Sequence, residues 1–106
     1  MVISMQFYKH LYVGKTIKNP IKVKRKLKMG AGQLHIYVIA LAQGADQLEI
    51  YHCAYLQQSY YKQNPPDIIG IAGSYEEAVE IVRQIAEAAV LSSGTCDIKN
   101  FLLQQQ

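Results

Sequence analysis

Residues 67–91 read DIIGIAGSYEEAVEIVRQIAEAAVL and contain the clearest structural signal in the chain. The apolar run Asp67–Ala72 predicts a short strand. Ser74 and Glu77 then have the spacing of a capping box, in which the serine oxygen accepts a hydrogen bond from the first turn of a helix. Apolar residues recur behind it at helical spacing, which predicts a helix over residues 75–91.

Alternating apolar residues predict three further strands before this segment. They cover residues 5–13, 34–42 and 48–56. The connection between the second and third is predicted to be a hairpin turn centred on Gly44-Ala45, which would place Tyr37 directly opposite His52. Asn19-Pro20 is typical of a helix start, and the short helix after it is predicted to dock through Val23 and Leu27.

The resulting order, β-α-β-β-β-α, predicts an α+β fold. We expect a two-layer sandwich, an antiparallel sheet of about four strands with two helices, formed by a single domain over residues 5–91. Residues 92–106 are predicted to be a loosely held C-terminal tail. Both faces of the hairpin strands are apolar, and two helices cover one face more readily than both. We therefore expect a homo-oligomer that associates over the second face, with helices divided between the faces as the alternative.

The charges are separated along the chain, because all eight acidic residues follow position 45. Residues 1–45 carry a formal charge of +8 and the remainder −5, for a net charge of +3. Within the basic segment 15–28, most of the positive charge falls on the first predicted helix. We call the following residues the basic surface: Lys22, Lys24, Arg25, Lys26 and Lys28.

Clustered cations attract phosphate, so the basic surface predicts a nucleic acid as one partner. An acidic protein is a second predicted partner, and the acidic last helix of another copy is a third. A solvated lysine-rich face is the simplest alternative, since lysine is less suited than arginine to bidentate phosphate contacts.

Tyrosine and histidine alternate along the predicted strands and would share one face of the sheet. This interaction patch comprises Tyr8, His10, Tyr12, His35, Tyr37 and His52. Tyrosine is favoured at protein interfaces, and aromatic rings also stack on planar ligands or bases. No carboxylate shares the patch, so we expect neither a metal site nor histidine catalysis. We predict a non-enzymatic binding or accessory domain without a cofactor; a small-ligand binder or enzyme in the patch is the alternative.

Two connecting segments have some features of binding sites. The turn Gly70–Ser74 resembles an anion cradle, but it lacks the lysine of a P-loop, and Glu76 and Glu77 would repel a phosphate. We therefore predict no phosphate site there. Tyr60 and Tyr61 lie in a proline-containing loop, where binding residues are common, although they could equally form a lid over the core.

The chain lacks the features of a secreted or membrane protein. Its N-terminus has no basic and apolar signal-peptide pattern, it has two cysteines, and no apolar run reaches membrane-spanning length. A cytoplasmic location with no membrane partner is expected.

Three stretches carry a resemblance to small bacterial cytoplasmic proteins of unassigned function. They are Tyr8-Lys-His-Leu-Tyr-Val-Gly14, Asp46-Gln-Leu-Glu-Ile-Tyr51, and Ile69-Gly-Ile-Ala with the later Glu77-Ala-Val-Glu80. This resemblance implies a compact bacterial domain and no particular activity. The strand and helix order also resembles double-stranded-RNA-binding domains. Those domains carry lysines at the start of the last helix, where this chain has Glu76 and Glu77, and so their function is not carried over.

Overall fold

A computed structural model describes residues 6–29, 33, 35–41, 48–94 and 97–104. Four strands and four α-helices lie in these ranges, together with a 3₁₀ helix at Cys53–Gln57. The strands are β1 (Gln6–Val13), β2 (Tyr37–Leu41), β3 (Leu48–His52) and β4 (Asp67–Ala72). The helices are α1 (Pro20–Met29), α2 (Ser59–Gln63), α3 (Tyr75–Ser93) and α4 (Ile98–Gln104).

The four strands form one sheet in the order β1-β4-β2-β3, which confirms the α+β prediction. Strands β2 and β3 are antiparallel, with Tyr37 opposite His52 as predicted. The predicted turn at Gly44-Ala45 lies outside the described residues. The sheet is mixed rather than wholly antiparallel, because β1 runs parallel to β4. Strand β4 lies between β1 and β2, and an isoleucine-rich sequence suits a strand buried on both faces.

Helices cover both faces of this sheet. On one face, Ile39 and Ile69 pack with Ile85 of α3 and with Leu102 of α4. On the other face, Val38, Ile68 and Ile71 pack with Leu27 of α1 and with two residues of the 3₁₀ helix, Cys53 and Leu56. The two-layer expectation is therefore corrected to the alternative, in which helices divide between the faces. The open sheet face on which self-association was predicted is covered within the described chain.

The predicted C-terminal tail contains a helix that belongs to the core. In α4, Ile98, Phe101 and Leu102 are buried against the same cluster as α3. The hydroxyl of Tyr8 in β1 donates a hydrogen bond of 3.2 Å to the carbonyl of Leu102. The description of residues 92–106 as a loosely held tail is thus wrong for α4, whose apolar residues recur over too few turns to stand out in the sequence.

The third strand is also shorter than predicted. It ends at His52, where the imidazole Nδ1 accepts a hydrogen bond of 3.1 Å from the backbone N–H of Ala54. This side chain caps the 3₁₀ helix that follows, so the backbone leaves the extended conformation before the predicted end at Leu56.

Substitution of two neighbouring leucines tests which side of α4 packs on the core. Replacing Leu102 with Ala should lower the free energy of unfolding by about 2–4 kcal/mol, because it removes a fully buried side chain and leaves a cavity. Replacing Leu103, which is 62% exposed, should change it by less than about 0.5 kcal/mol. Urea denaturation of both variants provides the test, and equal effects would contradict the assigned orientation of α4.

Candidate functional site

The basic surface is presented by a helix that begins and docks as the sequence predicts. The side-chain oxygen of Asn19 accepts a hydrogen bond of 3.1 Å from the backbone N–H of Lys22, which caps α1. Leu27 is buried and Val23 is half-buried on the sheet, so the opposite side of the helix faces outward. Lys22 and Arg25 are exposed there.

Two lysines of the basic surface lie over an aromatic ring of β1. The ammonium groups of Lys24 and Lys28 are 5.2 Å and 5.4 Å from the centre of the Phe7 ring. The electron-rich ring face attracts both cations and offsets part of their mutual repulsion. Lys24, Arg25 and Lys28 also line a shallow groove of ≈ 280 Å³, so three cations border one concavity.

The positive charge of α1 is not neutralised by ion pairs within the described residues. Arg83 forms salt bridges with Glu80 and Glu87 on the surface of α3. No cation of the basic surface takes part in them. The hydrogen bond to Arg83 is also the main reason that the pKa of Glu80 is lowered. Among the described residues, Arg83 supplies counter-charge to Glu80 and Glu87 within α3, whereas the cations of the basic surface form no ion pair and stay available to a partner.

The predicted interaction patch is divided and partly buried. Tyr8 is buried beneath α4, and Tyr12 is half-buried beside it, with ring centres 6.4 Å apart. Burial raises the pKa of both phenols. His10 is exposed and meets the Tyr8 ring edge-on at 5.9 Å. These three residues line the first strand, as predicted, but the central tyrosine is a core residue.

A second aromatic group holds two more patch residues. Tyr37 contacts His52 at 5.2 Å between ring centres and Tyr75 of α3 at 6.0 Å. The pairing of Tyr37 with His52 was predicted, whereas the contribution of Tyr75 was not. His35 is exposed ahead of β2. The six residues therefore do not form one open surface, because α3 and α4 cover the sheet between them.

The turn that resembles an anion cradle is occupied by the carboxylate of Glu77. One oxygen accepts hydrogen bonds from the backbone N–H of Gly73 at 2.7 Å and from the Thr16 hydroxyl at 2.8 Å. The other oxygen accepts the Thr16 backbone N–H at 3.1 Å. The Gly73 donor of this turn is thus bonded to a carboxylate of the protein itself, and the negative charge of that carboxylate would repel an external anion.

Two glycines make room for this carboxylate. A side chain at Gly14 would collide with the Glu77 carboxylate, and one at Gly73 would collide with the Thr16 hydroxyl. The ends of β1 and β4 can therefore approach closely enough for one side chain to join them. Burial raises the pKa of Glu77, but the hydrogen bonds from Gly73 and Thr16 outweigh this effect and lower it overall.

Tyr60 and Tyr61 lie in α2, within the segment predicted as a loop. The ring of Tyr61 contacts that of Tyr51 on β3 at 5.3 Å between centres. These tyrosines line a groove of ≈ 400 Å³, and Glu49, Asp67 and Lys99 line it too. The three charged residues were not predicted to belong to any site, because β3, β4 and α4 each supply one and no local spacing connects them.

Cys53 is buried, as expected for a residue among apolar neighbours. Its thiol donates a hydrogen bond of 3.2 Å to the carbonyl of Gln33, and burial raises the thiol pKa. Both its inaccessibility and its raised pKa oppose a nucleophilic role. Across the described ranges, no group of three or more His, Cys, Asp or Glu side chains could hold a metal ion.

A scan against protein-family models finds no match, and neither the curated proteins nor the solved structures yield one. The resemblance to small bacterial proteins stays an expectation. No helix in the described part of the chain has the length and hydropathy needed to cross a bilayer.

Replacing Glu77 with Gln should destabilise the protein by about 1–2 kcal/mol at neutral pH, because an amide N–H would face a backbone N–H donor. The pKa of Glu77 is lower in the folded protein than its ordinary value of 4.5, so the stabilisation is complete above that value. It is lost as the pH falls through the lowered pKa. The difference in unfolding free energy between wild type and variant should shrink accordingly.

Denaturant titrations at several pH values between neutral and strongly acidic would measure this difference. The matched control is Glu76→Gln, which removes an exposed carboxylate from the same helical turn. A Glu77→Gln effect no larger than that of the control, or one that is independent of pH, would contradict the role assigned to Glu77.

Proposed function

We propose that this protein is a small non-enzymatic binding domain whose basic surface on α1 binds the phosphate backbone of a nucleic acid. The supporting observation is that the cations of α1 have no ion-pair partner within the described residues. Such a surface releases counterions when it meets a chain of phosphates, which favours binding that depends on salt and little on sequence.

The composition of the basic surface favours contact with phosphates over the reading of bases. It contains four lysines and one arginine, Arg25, and lysine acts as a point charge without a fixed fork of donors. The groove bordered by Lys24, Arg25 and Lys28 brings three cations to one concavity, which suits adjacent backbone phosphates.

An acidic protein is the second candidate for the same surface. Ile21 and Met29 lie on α1 and are 77% and 73% exposed. Apolar side chains among cations suit a protein partner that offers both carboxylates and apolar contacts. Another copy of this chain remains a proposed partner too, although the covered sheet faces give it less apolar area than the sequence predicts.

Replacing Arg25 with Gln should weaken binding to a mixed-sequence DNA duplex and to a single-stranded RNA. The logarithm of the association constant should also depend less steeply on the logarithm of salt concentration, by about one unit of slope for each phosphate that the variant no longer neutralises. Lys22→Gln should lower the affinity and the salt dependence in the same way as Arg25→Gln. Fluorescence anisotropy between about 50 and 200 mM salt would measure both quantities.

The matched control is Lys99→Gln, which removes one positive charge from α4 on the other side of the sheet. Its salt slope should equal that of wild type. Absence of binding at low salt, or equal slopes for all the variants, would refute the nucleic-acid proposal. Binding to a polyglutamate peptide in place of both nucleic acids would favour the acidic protein.

A further inference from the structure

We propose that the groove bounded by β3, α2 and the start of β4 is a binding site for a guanidinium cation. The groove has a volume of ≈ 400 Å³, at the lower end of the range for ligand sites. It uses residues apart from the basic surface and has the opposite charge preference, so it goes beyond the proposed nucleic-acid function.

Three tyrosine rings form one wall of the groove. Tyr61 contacts Tyr51 at 5.3 Å between ring centres with planes inclined at 60°, and Tyr60 at 5.2 Å with planes at 86°. The rings touch one another, so a cation would lie over this wall and not between two rings. Tyr60 is 56% exposed, which leaves much of its ring free to receive a planar cation.

The charged residues of the groove favour a cation. Glu49 of β3 and Asp67 of β4 contribute two carboxylates, and Lys99 contributes one ammonium group. Counted over the described residues, the formal charge of the lining is −1. A guanidinium group combines the two features required, because it stacks flat on aromatic rings and donates paired hydrogen bonds to carboxylates.

The connection that carries Tyr60 into β4 is held by local interactions. The backbone and side-chain N–H groups of Asn64 donate hydrogen bonds of 2.8 Å and 3.1 Å to the carbonyl of Tyr60, which ends α2. Pro65 and Pro66 then fix two backbone φ angles before β4 begins. A wall with few free torsions costs less entropy when it binds a ligand.

The guanidinium could belong to a free small molecule or to an arginine side chain within a peptide. We would titrate ¹⁵N-labelled protein with N-acetylarginine amide, which represents a chain arginine, and with agmatine, which represents a free guanidine. N-acetylcitrulline amide is the control, because its urea group has the shape of guanidinium without the charge.

The expected result is a saturable shift of backbone amide signals around Glu49, Tyr60 and Asp67 with at least one guanidinium compound, and none with the citrulline compound. Tighter binding of N-acetylarginine amide would indicate an arginine side chain as the natural ligand, and tighter binding of agmatine would indicate a free guanidine. Equal binding of the citrulline compound would overturn the proposal. So would the absence of saturable shifts around the groove.

Substitutions of the lining residues measure separately the contribution of the aromatic ring and that of the two carboxylates. Tyr60→Leu should weaken binding about threefold, by removing one exposed cation–π contact. The double variant Glu49→Gln/Asp67→Asn should weaken it about tenfold, by removing charge-assisted hydrogen bonds. Lys99→Gln should strengthen it about twofold, because it removes the like charge.

The control for Tyr60→Leu is Tyr75→Leu on α3, since Tyr75 is 53% exposed and lies outside the groove. This change should leave affinity unaltered. Far-UV circular dichroism would verify that each variant is folded. A folded double variant that binds as tightly as wild type would overturn the proposal, and so would a Tyr75→Leu effect equal to that of Tyr60→Leu.

Discussion

The carboxylate of Glu77 joins the ends of the two parallel strands, close to the points from which α1 and α3 start. It connects the segment after β1, through Thr16, to the segment after β4, through Gly73. From these two points α1 and α3 depart to opposite faces of the sheet. The negative charge of Glu77 lies in the first turn of α3, where it interacts favourably with the positive end of the helix dipole.

The covered sheet determines which surfaces remain for binding. With α3 and α4 on one face and α1 with the 3₁₀ helix on the other, the apolar strand residues are used in the core. Among the described residues, two surfaces outside the core that carry clustered charge are the cationic outer side of α1 and the groove beside Tyr60. These two surfaces have opposite charge, so they would select different ligands. In the folded chain, the charge separation along the sequence corresponds in part to the two surfaces proposed for binding.

Local signals in the sequence predicted much of the fold. The capping residue Ser74 and the start of α1 at Asn19-Pro20 depend on neighbours within one turn, and both are as predicted. The register of β2 with β3 follows from one short connection. The parallel pairing of β1 with β4 could not be derived in this way, because it joins strands that are separated by most of the domain.

The candidate sites also differ in whether they depend on local sequence or on contacts between distant segments. The residues of the basic surface follow one another along a single helix, so the sequence alone identified them. Within the interaction patch, Tyr37 lies opposite His52 as predicted, but His35 precedes β2 and α4 buries Tyr8. Helix α4 was too short to be recognised in the sequence. The groove unites Glu49, Tyr60, Asp67 and Lys99 from four elements, and only the folded chain brings them together.

Amide hydrogen exchange at Thr16 and Gly73 tests the central role of Glu77 most directly. Both amide protons are bonded to its carboxylate, so both should be protected in the wild type. Both should lose that protection together in Glu77→Gln, while the amides of β2 remain protected. Exchange of the two wild-type amides at the rate of an unstructured peptide would contradict this account. Unchanged protection in the variant would do the same.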